Sequence, residues 1–118
     1  LVALDDGGVR GPEFGCNDSL ITVTDEIQQL GSVEHQIHAA VQRLLIRDPG
    51  ADYNVFFGKN LIVERVTISG STATIHLVGS LTIGGVCDEP RVEAQLEATA
   101  TQFPGINDIV IMVNGQVW

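Results

Sequence analysis

The spacing of apolar residues changes several times along the chain, and each change marks an element. Residues 1–4, Leu-Val-Ala-Leu, read as the end of a strand and run into a Gly/Asp/Pro loop, DDGGVRGPEFGCND. SLITVT (19–24) alternates apolar and hydroxyl residues, the period-two pattern of a half-buried strand. From Val33 the spacing lengthens to three and four, with Val33, Ile37, Ala40, Val41, Leu44 and Leu45 on one helical face. Ser32 is placed to cap that helix and Asp48-Pro49-Gly50 to end it. ADYNVFFGKN then reads as a loop whose Tyr53, Phe56 and Phe57 fold back onto the core.

NLIVERVTISG and STATIHLVG return to period two and predict a hairpin turning at Ser69-Gly70-Ser71. Strict alternation puts Ile62, Val66 and Ile68 on one face of its first strand, and Ala73, Ile75 and Leu77 on one face of its second. SLTIGGVCDEP is loop, with a short extended piece at Leu81–Ile83. Asp88 is placed to cap a second helix, with Pro90 in its first turn and a buried stripe of Val92, Leu96, Thr99 and Phe103 ended by Pro104-Gly105. DIVIMVNG is apolar on both faces and predicts a strand inside a sheet. The order β-β-α-β-β-α-β predicts an α+β fold, a two-layer sandwich with both helices on one face of a mixed sheet. One domain is expected over residues 1–118.

Charge narrows the partners. Six basic against fifteen acidic residues leave a formal charge of −9, which repels phosphate backbones and excludes a nucleic-acid interface. No apolar run is long enough to span a bilayer, so this segment is not expected to insert directly into a membrane. The chain opens on apolar Leu1–Leu4 without an initiator Met, and reads as a trimmed piece whose signal or anchor lies upstream. Cys16 and Cys87 are far apart and in no CxxC motif, so they are either buried free thiols or one disulfide. Their Gly-rich polar surroundings, FGCNDS and GGVCDEP, favour the disulfide and with it an oxidising compartment.

Candidate chemistry is sparse. Cys16, Asp18 and a histidine assemble into a nucleophilic set only on paper, since no nucleophile elbow or helix-start cysteine accompanies them. His35 and His38 are three apart on the first helix and His76 lies on a strand, but the spacing is not that of a metal-binding motif. Asp5, Asp6, Asp18, Asp25 and Glu26 form an acidic edge without the calcium-loop pattern. The glycines of TIGGVCDEPR match no phosphate-binding motif. No metal and no cofactor is expected. Asn17-Asp18-Ser19 is a glycosylation sequon. Asp18, Asp88 and Arg91, together with the apolar start Leu1, Val2, Ala3 and Leu4, are candidate contact residues; an apolar terminus can add itself as a strand to a neighbouring copy.

The segments GCNDSLITV, HQIHAAVQRLLIRDP and the run from LIVERV through GGVCDEPRVEAQLEATATQFPG to the closing VNG together resemble the GerMN domain, named from a spore-germination protein. The sequence departs from that pattern at Asn17, where glycine is usual, and at Ile21-Thr22, where an aliphatic–proline pair is common. The resemblance implies an extracytoplasmic bacterial domain, often lipoprotein-borne or membrane-tethered, that binds or assembles rather than catalyses. Its cysteine-bearing segments agree with a Cys16–Cys87 bond. The expected role is therefore contact with an envelope protein or with copies of itself. The competing readings are a small-ligand or glycan site at loops 5–18 and 79–90, and a hydrolase built on His76 or His35.

Overall fold

The computed structural model describes residues 1–24 and 31–118. In chain order the elements are β1 (Val2–Ala3), β2 (Ser19–Leu20), α1 (Val33–Ile46), β3 (Leu61–Ser69), β4 (Thr72–Gly79), α2 (Asp88–Thr101), β5 (Asp108–Val113) and β6 (Gln116–Val117). The α+β class and the expected order hold, with β6 added at the end. β3-β4-β5-β6 form a mixed sheet in which only β4 and β5 run parallel, and β1 pairs with β2 in a separate two-stranded sheet. Parallel neighbours need a long crossover, and α2 supplies it. α1 lies over β3, α2 lies over β5, and the two helices touch.

One face of the sheet is buried under the helices. Leu61, Val63 and Val66 of β3, Ala73, Ile75 and Leu77 of β4, and Ile111 of β5 meet Ile37, Val41, Leu44 and Leu45 of α1 and Val92, Leu96 and Ala100 of α2. Ile62 faces the other way, 57% exposed, although strict alternation placed it beside Val66 and Ile68. The register shifts between Val63 and Arg65, a bulge that inserts a residue and turns Leu61 and Val63 inward. A change of face of this kind leaves no mark in a period-two pattern. The same bulge sits on an edge strand, where Gln42 Oε1 also accepts the Val63 N–H at 3.1 Å.

The loop after α1 works as a third packing element. Val55 and Phe56 are buried in the core, whereas Phe57, expected to fold back with them, is 47% exposed. Asn54 makes this possible: its Nδ2 donates to the carbonyls of Leu44 (2.8 Å) and Arg47 (3.0 Å), two of the groups a helix end leaves unsatisfied. Its Oδ1 accepts from the Phe56 N–H and from Gln95 Nε2, and Gln95 Oε1 accepts the Val55 N–H, so α1, the loop and α2 share one buried polar seam. Ser32 caps α1 as expected, accepting the His35 N–H at 3.2 Å.

Three short elements differ from the pattern. SLITVT forms a strand only at Ser19–Leu20, and Leu81–Ile83 forms none. Asp88 is inside the first turn of α2, with Cys87 at the cap position, because its carboxylate is used elsewhere. β5 is inside the sheet, but β6 beside it has only two residues, and no strand among the described residues pairs with its outer edge. Asn114 and Gly115 turn β5 into β6 with φ of 51° and 81°, the left-handed pair that an Asn-Gly hairpin adopts readily.

Ile75 is fully buried at the centre of β4, and Thr74 beside it points outward. Ile75→Ala is expected to lower stability by about 2–5 kcal/mol, and Thr74→Ala by less than about 0.5 kcal/mol. Urea unfolding midpoints check this, and similar losses at both positions would show the faces to be misassigned.

Candidate functional site

The densest polar geometry in the described chain joins the first loop to the start of α2. Cys16 and Cys87 are bonded, with Cα atoms 5.9 Å apart and a sequence separation of 71. On the chain-entropy account, closing so long a loop contributes about 4 kcal/mol. Cys16 and Asn17 both take left-handed backbone, φ 53° and 61°. That conformation explains why glycine suits position 17 and why asparagine, which tolerates it best after glycine, can replace it.

The turn sends Asp18 inward. Its carboxylate is 1% exposed, and it accepts Arg91 Nε at 2.7 Å and the Asp5 N–H at 2.9 Å. Ser19, also buried, accepts the Gly8 N–H at 2.8 Å, so the two residues hold the first loop closed. Arg91 spans both segments: its Nη1 donates to Asp88 Oδ1 at 3.0 Å, and its guanidinium carbon lies 5.0 Å from the centre of the Tyr53 ring. Tyr53 donates its hydroxyl to the same Asp88 oxygen at 3.0 Å, and Gly84 donates its N–H to Asp88 Oδ2 at 2.9 Å. Both carboxylates, the guanidinium and the phenol are thus engaged with one another.

The titration of this cluster follows from burial and partners. Burial alone would raise the Asp88 carboxyl, but the Gly84 N–H, the Arg91 guanidinium and the Tyr53 hydroxyl outweigh it and hold the pKa below the ordinary carboxylate value. Burial lowers Arg91, and the carboxylates of Asp18 and Asp88 more than offset that. Tyr53 is raised by burial and by donating to Asp88. No buried side-chain nitrogen or oxygen among the described residues lacks a partner. A cluster with this many mutual contacts holds segments together.

The other candidates separate. Val2 and Ala3 are buried, and they pair with Leu20 and Ser19 in their own chain. Val2 also exchanges backbone hydrogen bonds with Tyr53, both 2.8 Å, while Leu4 is 51% exposed. Strand exchange through Leu1–Leu4 would first have to break these pairings. Arg10 ties the same loop to Asp52 at 2.7 Å on the surface. Asn17 is exposed and donates to Asp5 Oδ1 at 2.7 Å. His35 and His38 stay on α1, and His76 lies on the outer sheet face with Nε2 3.2 Å from Thr67 Oγ1. Among the described residues no group of His, Cys, Asp or Glu could hold a metal ion. Asp25 and Glu26 lie outside the described residues.

That outer face is the feature sequence reasoning missed. Ile62 pairs across the ladder with Val78, His76 with Met112, Thr74 with Val110, and Met112 with Val117, so these side chains share the side away from the helices. Ile62 and Val117 are 57% and 73% exposed, and the others are half-buried. The bonding of Tyr53 to Asp88 is likewise absent from the sequence pattern. No single-residue signal marks either role, because both depend on which strands become neighbours.

A two-layer α+β domain, tied by one disulfide and a half-buried arginine, with an open sheet face, is the class these features define. The chain belongs to the Germane family, described by its role in sporulation and spore germination, whose model matches residues 11–117. This agrees with the GerMN resemblance of its motifs. Comparison with curated proteins and with solved structures returned no match. No helix among the described residues is long and apolar enough to cross a membrane.

Arg91→Ala leaves the Asp18 carboxylate buried without its cation, and is expected to cost about 3–5 kcal/mol of stability. The surface substitution Arg10→Ala should leave the chemical denaturation midpoint nearly unchanged. Equal effects would place Asp18 in water rather than in the core.

The pKa of Asp88 is lower in the folded chain than unfolded, so the unfolded state binds more protons between the two values. Its contribution is present above the unfolded value, about 3.9, and is lost as pH falls through the folded value. Thermal midpoints recorded below pH 4 should drop more steeply for the wild type than for Asp88→Asn. Parallel curves would remove Asp88 as a source of acid sensitivity.

Proposed function

We propose that the domain is a non-enzymatic, extracytoplasmic binding and assembly module of the bacterial envelope that works through protein–protein contact. The observation that carries this reading is the division of the molecule. The chemically capable side chains, Asp18, Asp88, Arg91 and Tyr53, bond to one another, while the sheet face away from the helices carries exposed Ile62 and Val117 and half-buried Val78, Val110 and Met112. Uncovered apolar surface on a folded domain marks a contact site. A disulfide with Cys16 at the surface supports an oxidising compartment, and membership of the family supports an envelope setting.

The occupant is a protein of the envelope or a second copy of the domain. A ligand site at loops 5–18 and 79–90 has less support, since the polar side chains that would recognise a sugar there already satisfy each other. A hydrolase on His76 or His35 also has less support, since His76 Nε2 lies against Thr67 Oγ1 on the outer sheet face and His35 lies apart from it on α1.

Ile62→Asp and Val117→Asp each put a charge on the open face at an exposed position, where the fold tolerates it. Sedimentation velocity over a concentration series should show association that both variants abolish, or, for an envelope partner, a photo-crosslinker at position 62 should give a defined adduct in envelope fractions. A monomer that crosslinks from Glu93 on α2 and not from 62 or 117 would move the contact to the helical side.

A further inference from the structure

A cavity of about 350 Å³ opens between the two helices and residues 20–23, and none of Asp18, Asp88, Arg91 and Tyr53 lines it. Its size falls at the small end of ligand sites, about 300–1,000 Å³. Its helical lining includes small side chains, Ala40 on α1 and Ala98 and Thr99 on α2. Leu20, Ile21 and Phe103 supply apolar walls.

The floor makes no polar demand. Gln95 reaches the cavity, but both ends of its amide are engaged, with the Val55 N–H and with Asn54 Oδ1. Thr99 donates its hydroxyl to the Gln95 carbonyl. A group entering the seam therefore meets apolar contacts and satisfied polar ones, which suits a hydrocarbon body.

Part of the lining is charged. Arg43, in the last turn of α1, and Arg47, at its C-cap, both line the cavity. The chain has six basic residues against fifteen acidic ones. Of the others, Arg10, Arg65 and Arg91 pair with Asp52, Glu64 and the Asp18–Asp88 carboxylates. The cavity lining thus sets two of the scarce cations beside apolar side chains. Each holds an interaction within the chain. A guanidinium carries five N–H donors in a fixed fork, so each can donate to a further oxygen while keeping the interaction it has. Two such groups beside an apolar slot complement an anionic head on an apolar tail.

We infer that this interhelical cavity binds a small amphipathic carboxylate, its tail between Ala40, Ala98 and Phe103 and its head at Arg43 and Arg47. The inference is independent of the sheet-face contact, which lies on the other side of the β-sheet.

The test is a titration of the ¹⁵N-labelled protein with decanoate, decanol and decyltrimethylammonium, each below its micelle concentration. Decanoate should give saturable amide shifts at Leu44, Ala98, Thr99 and Phe103. Decanol should bind about tenfold more weakly, the loss expected for one charge-assisted contact, and the ammonium compound more weakly still. Ala98→Leu, a strong helix former at an exposed helical position, should fill the slot and remove the decanoate shifts. If that variant loses the native amide pattern, Ala40→Leu closes the slot from the other helix. Arg43→Gln with Arg47→Gln should weaken decanoate to the level of decanol and leave decanol unchanged. Absence of saturable shifts, equal binding of all three compounds, or undiminished binding in a correctly folded slot-filled variant would each overturn the assignment.

Discussion

Arg91 is the point on which the two halves of this domain depend. Asp18 is buried at the end of a loop that has little apolar surface of its own, and a buried carboxylate without a cation is costly. Arg91 reaches it from the first turn of α2, shares its charge with Asp88, and packs its guanidinium on Tyr53. Tyr53 in turn bonds to Val2 through its backbone. One side chain therefore links the first strand, the loop after α1 and the start of the crossover helix. The disulfide runs between the same segments, so covalent and ionic ties act in parallel. Burial raises the cost of each charge, and complete pairing is what makes the arrangement stable.

A second polar device does for the helices what Arg91 does for the loops. Asn54 and Gln95 lie in the core with every amide group bonded, and they fix how α1, the intervening loop and α2 meet. Apolar packing alone would tolerate several rotations of one helix against the other; hydrogen bonds with fixed partners do not. Small side chains, Ala40, Ala98 and Thr99, line the interhelical cavity beside this seam.

Much of the architecture could be read from residue spacing because it depends on periodicity. The α1 face, with Ile37, Val41, Leu44 and Leu45, and the β4 face, with Ala73, Ile75 and Leu77, are buried as their spacing indicates. Failures cluster where a local event resets the count or a partner is remote. The bulge at Glu64 reversed Ile62, and Phe57 turned outward where only Phe56 fits the core. Cys16, Cys87 and Asp18 stood out by residue type, but their joining to Tyr53 and Arg91 was invisible, since it requires four segments to be neighbours. The open sheet face was hidden for the same reason. An apolar strand such as DIVIMV reads alike whether its second face meets another layer or nothing.

The Cys16–Cys87 bond also sets how the domain responds to mechanical load. A chain pulled from its two ends can lengthen only through the residues outside the closed loop. The stretch between the cysteines, which are 71 positions apart, contains α1, β3 and β4 and stays looped even when every hydrogen bond is broken. At the reach of an extended chain, that withholds about 240 Å of contour from any stretching force. A domain held between a tether and a partner would then behave as a short, stiff spacer, giving way at its ends while the looped interior carries no tension.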